Sequence, residues 1–104
     1  MLDIVITKST NLNKKYDAVV TDTVTHKSRT IPFGAIGYSD YTIHKNDNRQ
    51  GNYLKRHSNE DWTRGNVASA AWMSRWLLWE KKTLPEAIRH VNSIFNDVKF
   101  HLKL

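Results

Sequence analysis

The chain has no cysteine, which excludes a disulfide framework, a zinc–thiolate centre and a thiol nucleophile. Histidine, aspartate and glutamate are then the only candidate metal ligands. The histidines, His26, His44, His57, His90 and His101, are scattered, and no two stand at the i, i+4 spacing of a helical zinc site. No stretch approaches the roughly 20 apolar residues that span a bilayer. Asp3 stands where a secretory signal would carry its basic region, so neither a membrane partner nor signal-directed secretion is expected. No internal repeat, low-complexity segment, basic tail or run of like charge is present, and no metal or cofactor is expected.

A length of 104 residues suits one hydrophobic core, and residues 1–104 read as a single domain. Sixteen Lys and Arg against ten Asp and Glu leave a net charge of +6. That balance favours an acidic partner, either nucleic acid or an acidic protein surface. Basic residues are spread along the whole chain, so any basic patch must be assembled by folding.

Hydrophobic alternation sets out the fold. Leu2 to Lys8 alternates Leu2, Ile4 and Ile6 with Asp3, Val5 and Thr7, the period of a half-buried strand. Lys15 to Val24 repeats the pattern with Tyr16, Ala18 and Val20, and Arg29 to Phe33 is able to pair back, its Pro32 marking an edge. Gly34 to Gly37 breaks the pattern and leads into Tyr38 to Lys45, read as an extended or irregular connection. A short helix capped by Asn46 or Asp47 runs to about His57, despite Gly51. A second is expected from Asn66 to Glu80. A third starts at the capping box Thr83-Leu84-Pro85-Glu86, where hydroxyl and carboxylate each meet an orphan amide. Val98, Phe100, Leu102 and Leu104 then alternate as a terminal strand. The expectation is an α+β fold: a three-stranded antiparallel meander, three helices covering one side, and a C-terminal strand joining the sheet.

Residues 70–79 hold Trp72, Trp76 and Trp79 with a single charge, Arg75. Apolar surface on both sides of one helix implies burial, because a surface helix carries one apolar stripe. Arg75 must then be paired, with Asp40, Glu60 or Asp61 as candidates, or reach an anion in a pocket. The tryptophans read as core, and Trp62, alone in a polar loop, is the better candidate for stacking on a base.

Polar and aromatic side chains are densest from Asp40 to Trp62. Arg49, Tyr53 and His57 are spaced by four and share a helical face, fit either to hold a phosphate or to form an internal network. The candidate nucleic-acid or anion ligands are His44, Lys45, Arg49, Tyr53, Arg56, His57, Trp62 and Arg75. A magnesium site at Asp40, Glu60 and Asp61 beside His44 or His57 is conceivable, although no spacing is specific to it. Outward Thr21, Thr23, Lys27 and Arg29 offer a further, unspecific nucleic-acid surface.

Phe33-Gly34, Gly37, Asp40-Tyr41-Thr42, His44-Lys45, Arg49, Tyr53, Arg56-His57, Glu60, Trp62, Ser74 to Trp79 and Lys82-Thr83-Leu84 with Ala87-Ile88 together resemble an uncharacterised family of small basic proteins encoded by large DNA viruses of algae and protists, with phage relatives. The resemblance implies a viral origin and a place in the virion or the host-cell interior, and it carries over no catalytic residue. Two classes of function follow. One is a non-enzymatic, virion-associated protein whose basic surface meets nucleic acid or an acidic protein. The other is an early protein with a metal-dependent nuclease or other phosphate-binding site around Asp40 to Trp62. The absence of catalytic spacing favours the first.

Overall fold

The computed structural model describes all 104 residues. Strands β1 (Leu2–Lys8), β2 (Lys14–Asp22) and β3 (Ser28–Ala35) form the antiparallel meander, and β4 (Val98–Leu102) completes a sheet of order β3-β2-β1-β4. β4 lies parallel to β1, pairing Leu2 with Val98 and Ile6 with Leu102, so the sheet is mixed. The helical middle of the chain supplies the long crossover that a parallel pairing needs. Register places Ile4 opposite Val20 and Ala18 opposite Ile31. Ile4, Ile6, Ala18, Val20, Ile31, Phe33, Val98 and Phe100 therefore bury one face of the sheet. Pro32 sits on the edge strand β3, where its missing amide costs no ladder hydrogen bond.

Several element boundaries depart from the sequence reading. β2 ends at Asp22, short of Val24, because the Asp22 carboxylate accepts the backbone N–H groups of Val24 (2.8 Å) and Thr25 (3.2 Å) and closes the turn. Those two donors also hold its pKa below the usual carboxylate value. β3 runs on to Ala35, through Gly34 at φ +76°. The Tyr38–Lys45 connection is not wholly irregular: it contains a one-turn helix, α1 (Tyr41–His44). Buried Asp40 caps α1 by accepting the Thr42 N–H at 2.9 Å while Lys15 Nζ donates to its other oxygen at 2.6 Å. A single turn is too short to leave a periodic signature.

α2 (Asp47–Arg56) is capped by Asn46, whose side chain accepts the Arg49 N–H at 3.1 Å. The expected helix from Asn66 to Glu80 is shorter and less regular. A 3₁₀ turn at Arg64–Asn66 precedes α3 (Ala70–Met73), capped by Ser69, and the winding continues as a π-turn over Ser74–Leu78. α4 (Leu84–Ile94) starts at Thr83, whose hydroxyl oxygen accepts the Glu86 N–H at 3.2 Å. The Glu86 carboxylate, however, accepts the Thr83 hydroxyl at 3.1 Å instead of reaching back to a backbone amide. α3, the π-turn and α4 pack on the apolar face of the sheet. Trp72 is fully buried, stacked on Phe100 with ring centroids 5.8 Å apart and planes 7° from parallel. Burial of each such side chain contributes about 2–3 kcal/mol. No helix is long and apolar enough to cross a membrane.

Candidate functional site

A cleft of about 310 Å³ opens where the end of β3 meets α2 and the π-turn. One wall is the chain leaving β3: Gly34, Ala35, Tyr38, Ser39 and Asp40, with Lys15 from β2. The opposite wall is α2, which presents Arg49, Tyr53, Arg56 and the following His57. Ser74, Leu78 and Trp79 complete the lining from the π-turn and the residue after it. A second hollow of about 410 Å³ adjoins the first, sharing Arg49, Arg56 and Trp79 and adding Asn52 and Lys55. The four-residue spacing of Arg49, Tyr53 and His57 thus places all three on the cleft.

The π-turn shapes the cleft from below. Arg75 on the π-turn pairs with Glu80, just beyond its end. The guanidinium lies 4.1 Å from the centroid of Trp76 and 4.9 Å from that of Trp62. Arg75 is therefore an internally paired, indole-stacked cation. Its partner is Glu80, and not Asp40, Glu60 or Asp61 as the sequence suggested; Glu80 also lies 3.5 Å from His90 Nε2. Trp62 gives its ring face to Arg75 and its indole N–H to Glu60 at 3.3 Å, away from the cleft.

Three stacked rings line the cleft, with a fourth tilted against them. Tyr53 lies against Trp79 at 4.1 Å with planes 2° apart, His57 stacks on Tyr53 at 4.3 Å, and His44 packs on Trp79 at 5.3 Å. Burial and the Glu60 carboxylate push the Tyr53 phenol up to about 12, so it stays a neutral hydroxyl. Burial also lowers the His44 pKa; Arg49 adds to that effect and Asp40 opposes it. His44 Nδ1 accepts the Asn46 N–H at 2.9 Å. Lys45 adopts the left-handed conformation that ends α1, and its ammonium donates to Thr42 O at 2.8 Å. Neither His44 nor Lys45 lines the cleft.

Charge on the cleft is unevenly compensated. Lys15 is neutralised by Asp40, and His57 Nδ1 is engaged by Glu60. Arg49, Lys55 and Arg56 have no carboxylate within 4.0 Å and stand exposed. Arg56 Nε makes only a long 3.4 Å contact to Asn52 O in its own helix. Three unpaired cations on one helical face form a positive rim over an aromatic wall.

The structure does not bring the candidate magnesium ligands together. Asp40 serves Lys15 and Thr42, Glu60 serves His57 and Trp62, and Asp61 accepts the Thr63 N–H at 3.0 Å and hydroxyl at 2.6 Å. No group of three His, Asp or Glu side chains is placed to hold an ion. Ser39 and Ser74, the serine hydroxyls of the cleft, make no hydrogen bond to His57. Of the outward candidates of the meander, Thr21, Thr23, Lys27 and Arg29, the last two lie with Asp22 around a separate hollow of about 270 Å³.

Sequence reasoning missed Lys15, Tyr38, Ser39, Lys55, Ser74 and Trp79 as site residues. No local pattern marks them; Tyr38 directly follows Gly37, which like Gly34 adopts positive φ (+89° and +76°).

The chain belongs to a family of unknown function, DUF5754, which matches residues 4–57. The matched region runs from β1 to the end of α2, and so includes every basic residue of the cleft as well as Tyr38. No curated protein and no solved structure matches the chain.

Proposed function

We propose that this DUF5754 protein is a non-enzymatic nucleic-acid-binding protein that takes phosphates on the α2 face of its cleft. The observation that carries the reading is the set of Arg49, Lys55 and Arg56, three exposed cations without internal partners beside a concave surface. Arginine presents a planar fork of donors matched to phosphate oxygens, and such contacts supply affinity without reading sequence. A binding role is favoured over catalysis because the cleft lacks a nucleophile bonded to a base and lacks a metal ligand set. The resemblance to virus-encoded basic proteins supports a viral genome or transcript as the nucleic acid, with the protein carried in the virion; mass spectrometry of purified particles tests that placement.

The direct test is fluorescence anisotropy with a labelled oligonucleotide over a salt series. Three phosphate contacts give a slope of log K on log salt of about −2 to −3. Replacing Arg49, Lys55 and Arg56 by alanine together should abolish most of that slope, while Lys27→Ala with Arg29→Ala leaves it unchanged. Binding that persists in the triple variant with its full salt dependence refutes the assignment. Binding to an acidic protein with no affinity for oligonucleotides refutes it also.

A further inference from the structure

Resting on that nucleic-acid reading, we infer that the bound strand is unpaired, and that one nucleotide enters the cleft with its base on Tyr38 and its phosphate between Arg49 and Arg56. The first ground is shape. The cations rim a depression of about 310 Å³ that Tyr38 and Ser39 wall from the far side. That is the small end of ligand pockets, fit for one nucleotide and not for a base pair. A duplex is convex and keeps its bases stacked inside, so it meets the rim but cannot fill the hollow.

The second ground is the state of the aromatic rings. Trp79 is covered on one face by Tyr53 with His44 tilted against it, Tyr53 lies against both Trp79 and His57, and each of the two is only 9% exposed. Neither can stack on a ligand. Tyr38 is different: it lines the same cleft, is 75% exposed and packs against no other ring. A large aromatic left in water beside unpaired arginines has the composition of a single-strand site, where stacking holds the base and cations track the backbone. Gly37, at φ +89°, turns the chain immediately before Tyr38, which lines the cleft.

The test compares fluorescein-labelled dT15 with a labelled 15-base-pair duplex, by anisotropy at low salt. The expected result is dT15 bound at least tenfold tighter. Tyr38→Ala should weaken dT15 about tenfold, as loss of one stacked base does, and leave duplex affinity within twofold. Tyr38→Phe, which keeps the ring, should bind dT15 as the parent does. Tyr38 is exposed, and an unchanged melting temperature in both variants confirms that the fold is intact. Duplex bound as tightly as dT15, or Tyr38→Ala without effect on dT15, overturns the single-strand inference and leaves the basic face of α2 as a duplex-binding surface. Failure of both probes to bind overturns the nucleic-acid reading beneath it.

Discussion

Gly34→Ala tests whether β3 and the π-turn meet as the cleft requires. Gly34 sits at φ +76°, and a methyl added there would stand 2.9 Å from Leu78 Cδ1 and 3.4 Å from Lys15 Cβ. Leu78 is 2% exposed, so its methyl group can yield only toward the cleft that it lines, and an added methyl on Gly34 must displace it there. Left-handed backbone in alanine costs about 1 kcal/mol, and overpacking against a core residue adds about 1–3 kcal/mol, for a total of roughly 2–4 kcal/mol. Gly37→Ala is the internal control. Its φ is +89°, yet nothing lies within 4 Å of an added methyl. It should therefore lose only the conformational part, about 1 kcal/mol. In a domain of this size each kcal/mol moves the melting temperature by about 4–8 °C. Thermal unfolding followed by far-ultraviolet circular dichroism should show Gly34→Ala falling by roughly 8–32 °C and Gly37→Ala by about 4–8 °C. Equal losses in the two variants would mean that Leu78 does not press on Gly34, and the description of the cleft between them would fail with it.

Removal of Arg75 should be costly, because its charge is enclosed by two indoles and paired with Glu80, the side chains being 12% and 21% exposed. Arg75→Ala is expected to lower stability by about 2 kcal/mol and Arg75→Lys to recover only part, since an ammonium lacks the planar stack; an unchanged urea midpoint in Arg75→Ala would refute the pairing. His44 should titrate below the ordinary imidazole value, because burial disfavours its charged form. The folded chain then holds that proton less tightly than the unfolded chain, so His44 contributes stability that is complete above about pH 6.5 and declines as pH falls through its titration. An NMR titration of the ring proton checks this, and a His44 midpoint at or above the ordinary value would contradict it.

The parts of the fold legible in the sequence were those with a strong local period or a capping side chain. Ile4 and Ile6 alternate with polar neighbours, Val98 and Phe100 do the same, and Asn46 and Thr83 mark helix starts found at those residues. Arg49, Tyr53 and His57 were legible as one face because helical spacing alone places them there. What stayed hidden depends on contacts between distant segments or on irregular winding. The π-turn has no sequence period of its own, and Arg75 finds its partner in Glu80, beyond the end of that turn. Tyr38 reaches the cleft only because β3 ends beside α2, which no local pattern announces. The α1 turn likewise depends on Lys15, 25 residues away, to satisfy the Asp40 that caps it.

The arrangement of α2 separates holding residues from binding residues. Of its ten residues only Tyr53 is buried, with Leu54 packed partly against the core, so little apolar area fixes the helix. Tyr53 compensates through its face-to-face contact with Trp79, and Gln50 Nε2 donates to the carbonyls of Trp79 (2.8 Å) and Glu80 (3.0 Å). Both anchors end at the residues just after the π-turn. The irregular winding therefore does more than bury tryptophans: it sets the carbonyls and the indole face on which α2 rests. Arg49, Lys55 and Arg56 make no comparable anchor; Lys55 and Arg56 add only the small favourable term of cations in the last turn of a helix. Cations that the fold hardly uses, carried on a helix that the fold takes care to fix, are the pattern expected of residues kept for an outside anion.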